Sequence, residues 1–159
     1  MKVCIVRHGS AETGVDGDSQ RQLTEKGQQQ AERAGCWLRG LIEAGAVSAE
    51  AQICTSPYRR AIQTAQAIQQ ATGLTLRQWP QLTPDGDVEA LSDLLSRSNN
   101  DLVVVSHLPL VGRLAAKLVE GQVFDQPWSP AECWLLEGDI ASAGCMTVTQ
   151  VWYPALDEH

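Results

Sequence analysis

Two unbroken runs of apolar residues stand out in the pattern of hydrophobic and polar positions along the chain. Residues 3–6 (Val-Cys-Ile-Val) and 102–105 (Leu-Val-Val-Val) contain no polar residue. A run without alternation is typical of a strand that is buried on both faces, as in a parallel sheet. Each run is followed by a short polar stretch that carries a histidine, His8 or His107. We therefore expect two interior strands with chemically active side chains at their carboxyl ends.

Apolar residues at helical spacing separate the predicted strands. The first predicted helix runs from an N-cap at Thr24 to about Ala44, and the second has Ser56 as its cap and Pro57 as its first helical residue. A third helix ends near residue 98, and a fourth begins at Pro109 and ends near residue 120. Each of the first three helices has a row of apolar residues. In the first helix these are Ala31, Ala34, Leu38, Leu41 and Ile42. In the second they are Ala61, Ala65 and Ile68, and in the third Val88, Leu91, Leu94 and Leu95.

Four shorter stretches complete the predicted sheet. Residues 52–55 and 74–79 favour strands, and residues 133–137 and 146–152 form an antiparallel hairpin at the sheet edge, with turn signals between them. Strands that alternate with helices predict an α/β fold, a three-layer sandwich with a mostly parallel central sheet. A chain of 159 residues is expected to form a single domain, residues 1–159.

The amino-acid composition of the chain excludes several classes of binding partner. The net charge is −7, which argues against binding to nucleic acid or to an anionic membrane surface, because no overall field attracts polyanions. No apolar run is long enough to cross a membrane, and the stretch after Met1 is too short for a signal peptide. The five cysteines form no Cys-x-x-Cys pair, so zinc and redox motifs are not supported. A reducing cytoplasm is the simplest compartment for such a chain.

The residues that follow the two apolar runs are candidates for a functional site. Arg7 and His8 end the first run, and His107 ends the second. Ligands of open α/β sheets bind at the carboxyl ends of the strands. If the two strands are neighbours, both imidazoles face one pocket, and the guanidinium of Arg7 offers a planar fork of donors for a phosphate or carboxylate. A lone histidine after a strand is usually structural, but two in equivalent places favour a site.

Further arginines lie near this predicted edge. Arg59 and Arg60 fall in the first turn of the second helix, where a cation opposes the helix dipole unless an anion lies nearby. We expect one of the two to have a functional role.

Arg21 follows a polar loop, residues 10–20. This loop leaves the end of the first strand and is expected to overhang the pocket. The side chain of Arg21 either reaches a bound substrate or is solvated. The Asp-Gly-Asp sequence at 16–18 belongs to a solvated loop rather than a calcium site, since the rest of an EF-hand pattern is missing.

Two arginines and two histidines without a cluster of carboxylates suit phosphoryl transfer. The arginines neutralise the phosphoryl oxygens, and a neutral imidazole nitrogen attacks phosphorus while its other nitrogen donates to a backbone carbonyl. The second histidine steadies the transition state by hydrogen bonding. The scheme passes through a covalent phosphohistidine, which water then hydrolyses, and it requires no metal or cofactor.

Four stretches also resemble the signature motifs of the histidine phosphatase superfamily, which has the phosphoglycerate-mutase-like fold. They are Arg-His-Gly at 7–9, Leu-Thr-Glu-Lys-Gly at 23–27, Thr-Ser-Pro-Tyr-Arg-Arg-Ala-Ile-Gln-Thr at 55–64 and Val-Ser-His at 105–107. The resemblance implies that Arg7, His8, Arg60 and His107 are catalytic, and it selects Arg60 over Arg59 because the arginine directly before the alanine is the catalytic one. Next to these, Arg21 and Ser106 are expected to contact substrate.

The short chain, together with residues 81–87 and 106–112, is similar to the compact bacterial phosphohistidine phosphatases of that superfamily. This implies a histidine-phosphorylated phosphotransfer (HPt) domain or sensor kinase as partner, in two-component signalling. We expect the protein to be a monomer. Larger relatives place a glutamate as proton donor before the third helix. Here Asp85, Asp87 and Glu89 are nearby, and none matches that position securely. A small-molecule phosphomonoesterase or mutase that uses one of these acids, and a non-catalytic phosphoprotein-binding module, remain as alternatives.

Overall fold

The fold is described from a computed structural model, which covers residues 1–13 and 17–157. Asp16, from the calcium hypothesis, and His159 lie outside the described residues. Six strands form one sheet in the order β3-β2-β4-β1-β5-β6. The strands are β1 Lys2–Arg7, β2 Gln52–Thr55, β3 Thr75–Gln78, β4 Leu102–Ser106, β5 Cys133–Glu137 and β6 Thr147–Trp152. The helices are α1 Glu25–Glu43, α2 Arg59–Thr72, α3 Val88–Ser96 and α4 Leu110–Glu120, with short 3-10 helices at Asp18–Gln20, Pro80–Leu82 and Pro154–Asp157.

The predicted three-layer α/β sandwich with a mostly parallel sheet is confirmed. Strands β3, β2, β4 and β1 pair in parallel, and β5 and β6 add to β1 as an antiparallel hairpin. Alternate residues of β1 point to opposite faces, so Val3 and Ile5 pack on α3 and α4 while Cys4 and Val6 pack on α1 and α2. Both faces of β1 and β4 are therefore buried, which is why their sequences show no alternation.

Helix boundaries follow local capping chemistry, with two differences from the predictions. Thr24 caps α1 as expected, because its hydroxyl accepts from the Gly27 amide at 3.0 Å. Helix α2, however, begins at Arg59 with Tyr58 at the cap position, so the prediction that Ser56 caps it and Pro57 opens it was wrong. Pro109 precedes α4 by one residue with helical backbone angles, and the helix itself begins at Leu110.

Two glycines let the loop after β1 lie directly on the start of α1. A Cβ on Gly9 would meet the Gly27 carbonyl oxygen at 2.5 Å, and a Cβ on Gly27 would collide with the Ser10 carbonyl oxygen. A side chain at either position would therefore push the loop off the helix. The close approach fixes the direction in which the chain leaves the carboxyl end of β1.

Within the part of the chain that the structure describes, no helix is long and apolar enough to span a bilayer.

Candidate active site

The pairing register brings three strand ends to one level. Arg7 at the end of β1 is paired with Ser106 at the end of β4, and Thr55 at the end of β2 is paired with Val105. Strands β1 and β4 are neighbours, so His8 and His107 leave the sheet side by side, which is the condition under which the sequence brings the two imidazoles together. Ser56 leaves β2 next to them.

His8 is held by its backbone and by its ring. Its amide donates to the Ser106 carbonyl at 3.0 Å, and its carbonyl accepts from the Ala131 amide at 3.1 Å. In the ring, Nδ1 lies 2.7 Å from the Gly9 carbonyl oxygen, and Arg60 Nε lies 3.3 Å from Nε2. A carbonyl only accepts and a guanidinium only donates, so Nδ1 carries the proton and Nε2 offers its lone pair. Both neighbours specify the same tautomer.

Burial and positive charge keep the His8 imidazole neutral. The ring is 8% exposed, and burial lowers its pKa to about 4; the charges of Arg60, Arg7 and Arg21 lower it as well, whereas the hydrogen bond to Gly9 opposes the shift. At neutral pH the ring is unprotonated at Nε2. It is therefore available as a nucleophile.

His107 packs against His8 and is more deeply buried. The ring centroids are 5.0 Å apart with the planes at 62°, and His107 is 1% exposed. Its Nε2 lies 2.7 Å from Ser56 Oγ. Burial lowers the pKa of His107 to about 2, and the neighbouring His8 and the arginines add to this effect. Two neutral imidazoles therefore share the site.

Arg60 and Arg59 have different surroundings although they are neighbours in the first turn of α2. Arg59 is exposed, whereas Arg60 is 3% exposed and lies against His8. Arg60 Nη1 donates to the Asp18 carbonyl at 2.7 Å, and Nη2 is 3.3 Å from the Asp18 carboxylate. The guanidinium carbon also lies 5.3 Å from the centre of the Tyr58 ring. The structure brings Arg60, and not Arg59, to the two histidines.

Arg7 reaches the site from the end of β1. Its Nη1 donates to the Trp128 carbonyl at 2.6 Å, which ties it to the segment before β5. Among the described residues, Arg7 Nε and His107 Nδ1 are buried without a hydrogen-bond partner. Buried polar groups are rarely left unpaired in proteins, so the unpaired guanidinium nitrogen of Arg7 at this edge of the sheet suits an anionic ligand.

Arg21 lies at the rim of the site and does not touch the histidines. Its Nε donates to the Glu12 carbonyl at 2.7 Å, and its Nη1 bonds the Asp18 carboxylate at 3.1 Å. The Asp18 carboxylate thus bridges Arg21 and Arg60, and these hydrogen bonds, with Arg21 the stronger, lower its pKa. The contact between Asp18 and Arg60 brings the 3-10 helix at Asp18–Gln20 to the site.

The side chain of Ser106 is hydrogen-bonded to the 3-10 helix at Pro80–Leu82. Its hydroxyl donates to the Leu82 carbonyl at 2.6 Å, and the side chain is fully buried. Its contribution to the site is the backbone carbonyl that accepts from the His8 amide. The geometry gives Ser106 a supporting place, and the substrate contact expected from the sequence stays a prediction.

Two of the three acidic residues near α3 have partners away from the histidines. Asp87 caps α3, since its Oδ1 accepts from the Glu89 and Ala90 amides at 2.9 and 3.3 Å. Glu89 pairs with Lys117 at 2.7 Å, and Asp85 is exposed. The described residues contain no group of three or more His, Cys, Asp or Glu side chains placed to hold a metal ion.

Sequence reasoning missed four residues that shape the site. Asp18 and Trp128 hold the two arginines, and Ser56 bonds His107. Thr64 accepts from the Gly9 amide at 3.2 Å and donates to the Arg60 carbonyl at 2.9 Å, which joins α2 to the loop after β1. The only available signal was for Thr64, which lies one helical turn after Arg60 and so on the same face.

Comparison with known proteins identifies the family. Residues 3–83 match the model of the histidine phosphatase superfamily (branch 1). The chain belongs to this superfamily, and it is a phosphatase enzyme.

Among its relatives, the phosphohistidine phosphatase SixA of Escherichia coli (strain K12) is 37% identical over 128 residues, which cover 77% of this chain and 76% of that protein. A phosphohistidine phosphatase SixA homolog of Haemophilus influenzae is 35% identical over 126 residues, 74% of this chain and 77% of that protein. A solved structure of the protein histidine phosphatase SixA in complex with tungstate aligns with a TM-score of 0.82 and 29% identity, covering 98% of this chain and 99% of that chain. The shared fold extends over nearly the whole chain.

Proposed function

We propose that this enzyme is a phosphohistidine phosphatase that removes the phosphoryl group from a histidine of another protein through a covalent phosphohistidine at His8. The observation that carries the proposal is the ring geometry of His8, whose Nδ1 is bonded to the Gly9 carbonyl while Nε2 faces Arg60. This arrangement leaves one neutral nitrogen directed at the place where an arginine holds an anion.

In the first step Nε2 of His8 attacks phosphorus and forms a P–N bond. The P–N bond to the substrate imidazole breaks, and its electron pair stays on the leaving nitrogen. That ring carries a proton on its other nitrogen, so it departs as a neutral imidazole. Arg7 and Arg60 neutralise the phosphoryl oxygens during transfer, and His107 donates to them.

In the second step a water oxygen attacks the phosphorus on His8. The P–Nε2 bond breaks and its electron pair returns to Nε2, while a proton of the water passes to solvent and inorganic phosphate leaves. The hydrogen bond to the Gly9 carbonyl keeps the proton of His8 on Nδ1 while Nε2 is phosphorylated. His8 therefore also departs from phosphorus as a neutral imidazole.

The chemistry of the leaving group favours phosphohistidine over a phosphate ester. An alkoxide needs a proton from an acid as it leaves, whereas imidazole does not. The carboxylates of Asp87 and Glu89 are committed to the start of α3 and to Lys117. The names of the two curated relatives, both phosphohistidine phosphatases, support the same substrate class.

The proposal extends to the partner. We infer that the substrate is a histidine-phosphorylated HPt domain or sensor kinase of a two-component pathway. We also propose that the enzyme is a single-domain monomer that acts in the cytoplasm. The net charge of −7 fits a protein partner better than a polyanion.

The test is phosphate release from a phosphohistidine-bearing HPt domain, measured beside a panel of phosphate esters without added metal. Wild type and His8→Ala are compared. The proposal expects release from phosphohistidine that depends on His8, with little ester turnover. A preference for an ester would assign a metabolic phosphatase, and phosphate binding without any turnover would assign a binding module.

A further inference from the structure

The hydroxyl of Ser56 forms the one side-chain hydrogen bond recorded for His107 within the described residues. Ser56 Oγ and His107 Nε2 are 2.7 Å apart, and both residues are buried, at 0% and 1% exposure. The contact joins the end of β2 to the end of β4. Its length is typical of a strong hydrogen bond that involves a hydroxyl.

The protons of this contact can be assigned by counting donors and acceptors. The Tyr58 amide donates to Ser56 Oγ at 3.1 Å, which uses one lone pair of the hydroxyl. The hydroxyl proton then needs an acceptor, and His107 Nε2 is the only one in contact with it among the described residues. Ser56 therefore donates, Nε2 accepts, and the proton of the neutral ring is on Nδ1.

We propose that Ser56 is a positioning residue that fixes His107 in the tautomer with its proton on Nδ1, so that Nδ1 donates to the phosphoryl group. This proposal rests on the function proposed above and assigns a determinant of the same site. Nδ1 of His107 is buried and has no partner among the residues that the structure describes, and the ring lies 5.0 Å from that of His8. Nδ1–H is thus the ring donor left for a phosphoryl group attached to His8.

The tautomer matters because the ring is neutral. Burial keeps the pKa of His107 far below its usual value, so the ring carries one proton and has one donor. With that proton on Nε2, a lone pair would face the phosphoryl oxygens and repel them. A single hydroxyl thus decides between attraction and repulsion at the transition state.

Tyr58 holds the hydroxyl in place. Its amide bonds Ser56 Oγ, and its ring packs edge-on against His107 with centroids 5.1 Å apart. The same ring lies under the Arg60 guanidinium at 5.3 Å. The segment 56–60 therefore orients both His107 and Arg60 as one unit.

The test is the ¹⁵N spectrum of the histidine rings, in which protonated and unprotonated ring nitrogens have well-separated shifts. The chain has three histidines, so the spectrum is simple to assign with a His107→Gln variant. In wild type at neutral pH we expect His107 with a protonated Nδ1 and an unprotonated Nε2. A proton on Nε2 in wild type would overturn the proposal, and this result needs no variant to fold.

Variants extend the test. Ser56→Ala should lose the single tautomer and lower kcat by about tenfold, less than loss of a direct oxyanion donor, because the ring can still donate part of the time. Ser56→Thr keeps a hydroxyl and should keep both the tautomer and most of kcat. Ser92→Ala, at a buried serine of α3, is the control and should change neither.

The outcomes separate this proposal from the proposed function. An unchanged His107 tautomer in Ser56→Ala would refute the positioning role even with phosphohistidine as the substrate. A shifted tautomer in an enzyme that releases no phosphate from phosphohistidine would support the positioning role and refute the function.

Discussion

Arg60 Nε lies 3.3 Å from His8 Nε2, so a guanidinium faces the ring nitrogen that carries no proton. The bond holds the imidazole in one orientation and lowers the pKa of His8, although burial contributes more to that shift. If a phosphoryl group bonds to Nε2, as we propose, the same guanidinium would lie next to its oxygens. Under this proposal Arg60 first orients the nucleophile and then neutralises the charge of the phosphoryl group.

Replacement of Arg60 should abolish most of the activity. Arg60→Met keeps the buried aliphatic stem and removes the guanidinium, and we expect kcat/KM to fall by about a thousandfold. The matched control is Arg59→Met, the exposed neighbour in the same helical turn, which should stay within about twofold of wild type. Equal losses in the two variants would contradict the assignment of Arg60.

Neutralisation of Asp18 should strengthen anion binding. Its carboxylate bonds both Arg60 and Arg21, so it competes with a phosphate for their charge. In Asp18→Asn we expect inorganic phosphate to inhibit at about threefold lower concentration. A change of this size corresponds to the interaction energy of a partly exposed ion pair. Glu43→Gln, which breaks an exposed pair with Arg39 on α1, should leave inhibition unchanged. Weaker inhibition by phosphate in Asp18→Asn would mean that the carboxylate mainly orients Arg60.

Acid should destabilise the protein partly through His107. Burial holds its folded-state pKa near 2, below an unfolded value of about 6.5, so the unfolded chain binds the extra proton first. The stability from the neutral ring is complete above pH 6.5 and is lost as the pH falls below it. We expect urea unfolding of His107→Gln to show a smaller decrease between pH 6.5 and 5, by up to about 1.4 kcal/mol per pH unit. Parallel pH dependences of wild type and variant would contradict the neutral buried ring.

The carboxylates at the start of α3 should matter for stability and not for turnover of phosphohistidine. Asp87→Ala removes the helix cap and should cost about 1 kcal/mol in the free energy of unfolding. Both Asp87→Ala and Glu89→Gln should keep kcat/KM for phosphohistidine within about twofold of wild type, because imidazole leaves without a proton donor. A tenfold loss of phosphohistidine turnover in either variant would contradict this expectation, and a loss confined to an ester substrate would favour the phosphomonoesterase alternative.

Much of the fold could be predicted from the sequence because its strongest signals are local. The apolar runs at 3–6 and 102–105 belong to strands buried on both faces, so their pattern needs no knowledge of the rest of the chain. Thr24 caps α1 from three residues away. The order of strands and helices then follows from the alternation of the two patterns.

What the sequence could not provide are contacts between distant residues. Ser56 has the local signature of a helix cap, but its hydroxyl bonds a histidine 51 residues away, and α2 begins at Arg59. Asp18 meets an arginine 42 residues away, and the Trp128 carbonyl meets one 121 residues away. Every residue has a backbone carbonyl, so the sequence does not show which carbonyl accepts a given hydrogen bond. Arg7 could therefore be placed at the carboxyl edge of the sheet, but its partner, the Trp128 carbonyl, could not be predicted.

The most direct measurement of the central claim is the phosphorylation state of the enzyme during turnover. Wild type is mixed with a ³²P-labelled phosphohistidine protein and quenched within one turnover. We expect one label per chain, stable to base and labile to acid, attached to Nε2 of His8 and absent in His8→Ala. Phosphate release at the full rate without a labelled enzyme, or a label on another residue, would contradict the role of His8 as nucleophile.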